Sequence, residues 1–268
     1  MARSRLSVGM VCVMLAASFA LAQSGGTGGE KKEVLATGGL ISSLVAAPVI
    51  GQPYSAMQVH RTVRKLADGT TISQRGHHFV ARDSQGRVRV EMRLAKGKNG
   101  EPDTVLVFVS DPVAHTITTW KAGPKVENMT ASVIKIPTER KQETAVQPRV
   151  ANASTGPQPV VKTEDLGTVM LQGLPVTDVR TTTIVPVGRA GNDAPITKMR
   201  EVWTSPDLKL VMKQQMNDPR TGELTVEFED FSRADPDATL FHAPKGYTVK
   251  NALESLKELE EKLEAAQN

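Results

Sequence analysis

Residues 87–94 read RVRVEMRL, and this strict alternation decides the fold class. Val88, Val90, Met92 and Leu94 occupy the even positions, whereas arginine and glutamate occupy the odd ones. Because successive side chains of a strand point to opposite faces, a period of two predicts a strand with one apolar face and one wet face. Such alternation is typical of antiparallel sheets, since parallel strands are usually apolar on both faces.

The same alternation recurs towards the C-terminus, and short turns separate the alternating runs. In the first run the apolar positions are Leu208, Leu210, Met212 and Met216. In the second they are Leu224, Val226 and Phe228, which alternate with Glu223, Glu227 and Glu229 on the polar side. Turn sequences include DG at 68–69, NG at 99–100, SPD at 205–207 and DPRTG at 218–222. Many strands joined by short turns indicate hairpins rather than βαβ units. We therefore predict a mainly β fold, a curved antiparallel sheet or open half-barrel of hairpins with a C-terminal helix.

The chain divides into six predicted segments. A signal peptide is expected because Arg3 and Arg5 precede an apolar stretch that ends in the small-x-small sequence ALA at 20–22. A stretch rich in Pro, Thr, Gln and Lys predicts a mobile loop, and a tail with leucines three and four residues apart predicts an amphipathic helix. The segments are the signal peptide 1–22, a flexible linker 23–52, a first β-meander 53–136, the mobile loop 137–163, a second β-meander 164–249 and the helix 250–268.

Composition and charge limit the class of protein. The single cysteine, Cys12, lies within the predicted signal peptide, so the mature chain is expected to have no disulfide and no thiolate chemistry. The net charge of +4 falls to +2 without Arg3 and Arg5, which is too small to indicate a nucleic-acid partner. The chain is basic between residues 61 and 98 and acidic from residue 218 onward. We expect these two parts to form solvated faces that attract each other.

No motif for catalysis or metal binding stands out. His77 and His78 are adjacent and would lie on opposite faces of a strand, and neither His-Glu-x-x-His nor Gly-x-Ser-x-Gly occurs. The basic strands lack the interleaved aromatic residues that stack on bases, and Trp120 and Trp203 are expected in the core. The sequence therefore predicts no catalytic residue, no metal site, no cofactor and no nucleic-acid partner.

Several short stretches resemble a family of exported bacterial proteins that has no assigned activity. They are LADGT at 66–70, RDSQGR at 82–87, EVWTSPDL at 201–208, DPRTGE at 218–223, DPDATLF at 235–241 and PKGY at 244–247. The ending, LF followed by PKGY, is also similar to the close of outer-membrane lipoprotein-sorting proteins and related periplasmic stress-sensor domains. That resemblance implies an open, curved antiparallel half-barrel that holds an acyl chain or hydrophobic segment.

We predict an exported, non-enzymatic β-domain, periplasmic or secreted, that binds an apolar ligand. A lipid or hydrophobic envelope component is the expected partner, and peripheral contact with a membrane is compatible with this function. Two alternatives remain open: a structural protein that assembles through its C-terminal helix, and a hydrolase of unknown class. The oligomeric state is not specified by the sequence. The candidate ligand-binding residues, expected on one concave apolar face, are Met57, Val90, Met92, Met199, Met212 and Met216.

Overall fold

The computed structural model describes residues 47–93, 104–124, 126, 129–136 and 157–254. These residues form one curved, open sheet of twelve strands, which confirms the predicted mainly β fold. A short 3-10 helix, Ala238–Phe241, lies between the last two strands. The strands are β1 Tyr54–Lys65, β2 Thr71–Arg82, β3 Val88–Arg93, β4 Val105–Asp111, β5 Thr116–Ala122, β6 Thr130–Lys135, β7 Val160–Leu171, β8 Leu174–Val185, β9 Ile196–Ser205, β10 Leu210–Asp218, β11 Gly222–Ser232 and β12 Thr248–Asn251.

Two meanders lie side by side in the sheet. The strand order is β12-β6-β5-β4-β3-β2-β1-β11-β10-β9-β8-β7, and β11 joins the two meanders by pairing with β1. Every pair is antiparallel except β12 with β6, which is parallel. The chain therefore leaves β11 beside β1 and returns at the far side of β6. Residues 233–247, which we name the crossover segment, make this connection.

The crossover segment covers one face of the first meander and completes its core. Because directly paired residues share a face, the register places Phe79, Glu91, Val107 and Trp120 on this covered face. Phe241 of the crossover segment is buried against the core of that face. The other buried members of this core are Ala81, Val107, Val109, Trp120 and Ala131.

The covered face is the one that the sequence predicts to be wet. Strand β3 does alternate as predicted, but Arg87, just before the strand, and Arg89 within it are both buried. Their burial follows from the crossover segment, since Arg89 donates a hydrogen bond to the carbonyl oxygen of Leu240. The guanidinium of Arg89 also lies 5.3 Å from the centre of the Trp120 ring. The prediction of a wet face was therefore wrong for this strand.

The opposite face has a buried aromatic group near the start of β1. Tyr54 stacks on Phe231 with 5.5 Å between ring centroids and meets Phe228 edge-on at 5.9 Å. The guanidinium of Arg82 lies 4.9 Å from the Tyr54 ring centre and donates to the carbonyl oxygen of Leu208 at 2.8 Å. Burial raises the pKa of Tyr54 to about 12, although the nearby Arg82 opposes this rise. The alternation of apolar residues from Leu208 to Met216 predicts that Leu208 lies within a strand. It is instead fully buried in the turn before β10.

Basic residues of β1 and β2 meet acidic residues of β11, the strand that pairs with β1. Arg75 contacts Glu229 at 2.7 Å and Arg61 contacts Glu227 at 3.9 Å. These ion pairs join the early basic part to the late acidic part, as the charge distribution predicts. Both arginines are about half exposed, so the pairs contribute little to the free energy of unfolding.

Two predicted boundaries need correction. Residues 160–163, assigned to the mobile loop, are the start of β7. Strands β7 and β8 form a hairpin, because Gln172 and Gly173 form a turn with positive φ between them. Residues 250 and 251, assigned to the helix, end strand β12, and helical residues begin at 252. The predicted signal peptide, most of the linker and of the loop, and the helix beyond residue 254 lie outside the described residues.

Gly222, at the start of β11, illustrates a glycine that the turn requires. Its φ is +83°, and a Cβ there would fall on the carbonyl oxygen of Val63 and 3.0 Å from the Cα of Arg64. Gly222→Ala is therefore expected to lower the free energy of unfolding by about 2–3 kcal/mol, measured by urea denaturation. Gly173→Ala is the matched control, since Gly173 has φ +75° but open space around it, and should cost about 1 kcal/mol. Equal losses for the two variants would contradict this explanation.

Candidate functional site: a cavity beneath the crossover segment

A cavity of about 480 Å³ lies on the covered face, between the sheet and the crossover segment. Strands β1 to β4 supply its floor, because Met57, Phe79, Glu91 and their neighbours project from this face. Leu240, in the 3-10 helix, supplies the remaining side. The residues that line the cavity are Met57, Phe79, Glu91, Arg93, Val105 and Leu240.

Two arginines of the β3 region hold the crossover segment in place. Arg89 donates to the carbonyl oxygen of Leu240, at the edge of the cavity. Arg87 lies 3.0 Å, Nη1 to Nε2, from His242. Since arginine is always a donor, Nε2 of His242 is the acceptor in this contact. The position of Leu240 therefore depends on side chains of the sheet as well as on its own packing.

A buried ion pair in turn fixes Arg87. Its Nε lies 2.6 Å from Oδ2 of Asp83, and the backbone N–H groups of Arg87 and Gln85 donate to the other carboxylate oxygen at 2.8 Å and 3.1 Å. Asp83 caps the turn between β2 and β3 in this way. The turn sequence RDSQGR thus orients the arginine that holds the crossover segment.

The far end of the crossover segment is anchored at the sheet edge. The hydroxyl of Tyr247 donates to the carbonyl oxygen of Lys121 at 2.7 Å, and the N–H of Thr248 donates to that of Met129 at 2.8 Å. Near its start, Asp235 accepts a hydrogen bond from the N–H of Ser84 at 3.1 Å. Contacts on both sides of Leu240 therefore keep this wall of the cavity in place.

The cavity has an apolar body and two charged side chains. Met57, Phe79, Val105 and Leu240 present carbon and sulfur to its interior. Glu91 is already engaged, because its carboxylate pairs with Arg89 at 2.7 Å. An apolar cavity with few polar groups is typical of small-molecule sites, where the polar groups orient the ligand. This arrangement can bind an amphipathic molecule by its apolar part.

The structure does not bring the six predicted ligand-binding residues together. Only Met57 lines the cavity. Val90 and Met92 point to the opposite face, since they alternate with Glu91, and Met216, paired with Leu224, points the same way as they do. Met199 shares the face of Met57 but lies three strands away on β9. Met212 is buried at the bulge of β10.

The other five lining residues are not among those that the sequence predicts. Phe79 and Val105 are apolar residues of predicted strands. The neighbouring sequence does not predict which face of the sheet is covered. Leu240 carried the clearest signal, because the pair Leu240–Phe241 is apolar within an otherwise polar connection. Glu91 and Arg93 alternate with apolar residues, and this pattern predicts that they lie on the wet face.

A pair of histidines lies on the opposite face. His78 is buried, and neither of its ring nitrogens has a hydrogen-bond partner among the described residues. The His60 ring stacks on it at 5.2 Å and covers Gly76, where a Cβ would collide with that ring. Burial lowers the pKa of His78 to about 4, and the neighbouring His60 and His77 add to this effect. The register confirms that His77 and His78 face opposite sides.

His78 predicts a loss of stability in acid. Between pH 6.5 and about 4 the unfolded chain takes up a proton at this residue and the folded chain does not. The free energy of unfolding should therefore fall by about 2–3 kcal/mol from pH 7 to pH 4.5 through this residue alone. The variant His78→Phe should lack this part of the loss, as measured by urea denaturation at both pH values. An identical pH dependence in the two proteins would contradict the prediction.

The described residues contain neither a group of metal ligands nor a helix that could span a membrane. In the described ranges, no three His, Cys, Asp or Glu side chains are grouped so that they could hold a metal ion. Within the same ranges, no helix has the length and apolar character needed to cross a membrane.

The fold and the cavity together define a class of protein. It has an open, mainly antiparallel sheet, and the crossover segment folds back over one face of this sheet and encloses a ligand-sized cavity. No family model matches the chain, and no curated protein matches it. Among solved structures, it is similar to a chain of the MucA/MucB complex of Pseudomonas aeruginosa, with 12% identity and a TM-score of 0.34. That match covers 72% of this chain and 56% of the other, so the chain spans little more than half of that protein's length.

Two further solved structures are similar to the chain. One is a DUF1329 family protein from Desulfovibrio piger, with 10% identity, a TM-score of 0.18 and coverage of 76% and 93% of the two chains. The other is an outer membrane lipoprotein-sorting protein domain from Vibrio parahaemolyticus, with 10% identity, a TM-score of 0.18 and coverage of 75% and 94%. The second of these is a protein of the kind that the end of the sequence resembles. At these TM-scores the likeness says nothing about what this chain binds.

Proposed function

We propose that the chain is an exported, non-enzymatic binding protein that holds an apolar ligand, or the apolar part of an envelope partner, beneath the crossover segment. The observation that supports this function is the cavity itself. Its volume of about 480 Å³ falls within the range of about 300–1,000 Å³ that ligand pockets occupy. Most of its lining is apolar, so the transfer of an apolar group from water into it is favourable.

The lining residues suit a ligand with one polar end. Met57 is flexible and polarisable and adapts to irregular apolar shapes. Arg93 lies at the cavity and is charged, so the polar end of a ligand would lie beside it rather than among the apolar residues. The apolar part of such a ligand would then lie against Phe79 and Leu240.

Export is part of the same proposal. Cleavage after Ala22 would release a chain that begins at Gln23 and contains no cysteine. The N-terminal residue of the protein recovered from the periplasm or the medium tests this step directly. Recovery of a chain that still begins at Met1 would contradict it.

A fluorescent apolar probe tests the binding function. We expect the full mature chain, stripped of bound lipid by denaturation and refolding, to bind 1-anilinonaphthalene-8-sulfonate. Val105→Trp should weaken this binding at least about tenfold, because the indole would occupy the cavity. A tenfold loss of affinity corresponds to about 1.4 kcal/mol of binding free energy. Val187→Trp is the matched control, since Val187 lies exposed in the loop between β8 and β9 and should leave the affinity unchanged.

The outcomes separate a cavity ligand from surface adsorption. Equal affinity in the wild type and Val105→Trp would show that the probe binds elsewhere and would overturn the proposal. Absence of any binding by the refolded wild type would overturn it as well. Native mass spectrometry of the protein as purified provides a second measurement, because a bound lipid would appear as an added mass that Val105→Trp reduces.

A further inference from the structure

Strand β7 is a long exposed edge of the sheet. It pairs with β8 on one side, and in the part of the chain that the structure describes no strand lies on its other side. All of its residues except Glu164 and Leu171 are exposed. Five of these exposed residues are large and apolar: Val160, Val161, Leu166, Val169 and Met170. Such an edge presents unpaired backbone groups and apolar side chains to a strand of a partner.

The charges of β7 indicate which strand fits. Lys162 and Glu164 flank Thr163 and lie on the same face of the strand, where Nζ and Oε1 are 2.9 Å apart. In an antiparallel pair of two copies centred on Thr163, Lys162 of each copy stands opposite Glu164 of the other. Opposite charges in directly facing positions stabilise a strand pair, and a facing pair of threonines does so too. The β7 edge is therefore complementary to itself.

We propose that two copies of this chain associate through antiparallel pairing of their β7 strands, centred on Thr163. Val160 and Val161 of each copy then lie against the partner strand, which covers part of their exposed surface. Asp165 remains engaged within its own chain, since it accepts a hydrogen bond from the N–H of Gly167 at 2.9 Å in the bulge. The two sheets join into one continuous sheet with a two-fold axis at its centre.

The pairing is short, so the dimer is weak. Residues 160–166 span about 24 Å of strand. Such a strip buries less surface than the roughly 1,600 Å² of a standard stable interface. The dimer should therefore dissociate on dilution, and single charge changes at the interface should alter its affinity measurably.

Charge reversal provides the test, because Lys162 is exposed and Glu164 is partly exposed, so their replacement should leave the fold unchanged. Lys162→Glu gives a strand with two facing negative pairs, and Glu164→Lys gives one with two positive pairs. We expect each variant alone to dimerise at least about tenfold more weakly than the wild type, as measured by sedimentation velocity of the full mature chain over a range of concentrations. An equimolar mixture of the two variants should form a heterodimer, and the double variant Lys162→Glu/Glu164→Lys should regain the wild-type affinity.

Three results would overturn the proposal. A wild type that stays monomeric at the highest soluble concentration would exclude the dimer. A dimer affinity that is unchanged by the two charge reversals would place the interface elsewhere. A dimer that disappears when the chain is ended after Glu254 would assign assembly to the C-terminal tail instead of β7. Retention of the dimer in that truncated chain, together with recovery in the mixture, would support pairing through β7.

Discussion

Replacing Phe241 by alanine should lower the free energy of unfolding by about 3–5 kcal/mol, which is the usual cost of truncating a buried phenylalanine. Phe241 is buried at 3% exposure within the core that includes Val107 and Trp120. The guanidinium of Arg87 also lies 5.2 Å from the centre of its ring. Urea denaturation should show a lower midpoint with an unchanged slope, because the variant changes stability and not the surface exposed on unfolding.

The same variant should weaken ligand binding, because Phe241 fixes the segment that carries Leu240. We expect the affinity for the fluorescent probe to fall even under conditions in which the variant is fully folded. Phe231→Ala is the matched control, since Phe231 is half-buried and stacks on Tyr54 on the opposite face. It should destabilise the fold less and leave probe binding unchanged. Probe binding that is unchanged in Phe241→Ala would show that the crossover segment does not form the site.

Local alternation in the sequence predicts much of this fold. Residues 88–93 of the run at 87–94 form β3, whereas Leu94 lies outside the described residues, and the run around Leu224 and Phe228 becomes β11. Turn sequences such as DPRTG are also found where predicted, with the N–H of Thr221 donating to the carbonyl oxygen of Asp218 at 2.9 Å. These features depend on neighbours in sequence, since a period of two and the conformational preferences of turn residues are both local.

The sequence could not predict which face would be covered. Alternation groups Arg87, Arg89 and Glu91 on one face of the strand, and their charge suggests contact with water. The covering segment lies 155 residues further along the chain at His242, and its position depends on the parallel pairing of β12 with β6. Such long-range contacts leave no periodic signal in either segment.

For the same reason the predicted ligand-binding residues are divided between the two faces of the sheet. The methionines were chosen for their chemistry, and alternation alone gives no way to decide which of two faces encloses a cavity. Met57 lines the cavity because its face lies below the crossover segment. Met92 has the same chemistry but projects from the other face, opposite His78. The location of the site is thus a property of topology rather than of residue type.

Replacing Arg87 by methionine should also cost about 3–5 kcal/mol, but for an electrostatic reason. Arg87 and Asp83 are buried at 8% and 3% exposure, and their side chains contact at 2.6 Å. Loss of the guanidinium leaves the carboxylate of Asp83 buried with only backbone donors, and an uncompensated buried charge carries a penalty of this size. Urea denaturation at neutral pH measures the loss. Arg75→Met is the matched control, because its exposed pair with Glu229 should be worth less than about 1 kcal/mol.

A second substitution distinguishes the buried charge from lost packing. Asp83→Asn removes the charge but keeps an oxygen that can accept from the N–H groups of Gln85 and Arg87. If the buried carboxylate causes the loss, the double variant Asp83→Asn/Arg87→Met should be more stable than Arg87→Met alone, since the pair is coupled. A double variant that is no more stable than Arg87→Met would instead assign the loss to packing of the arginine against Phe241 and His242. In both cases the probe affinity should fall, because Arg87 also holds the segment that closes the cavity.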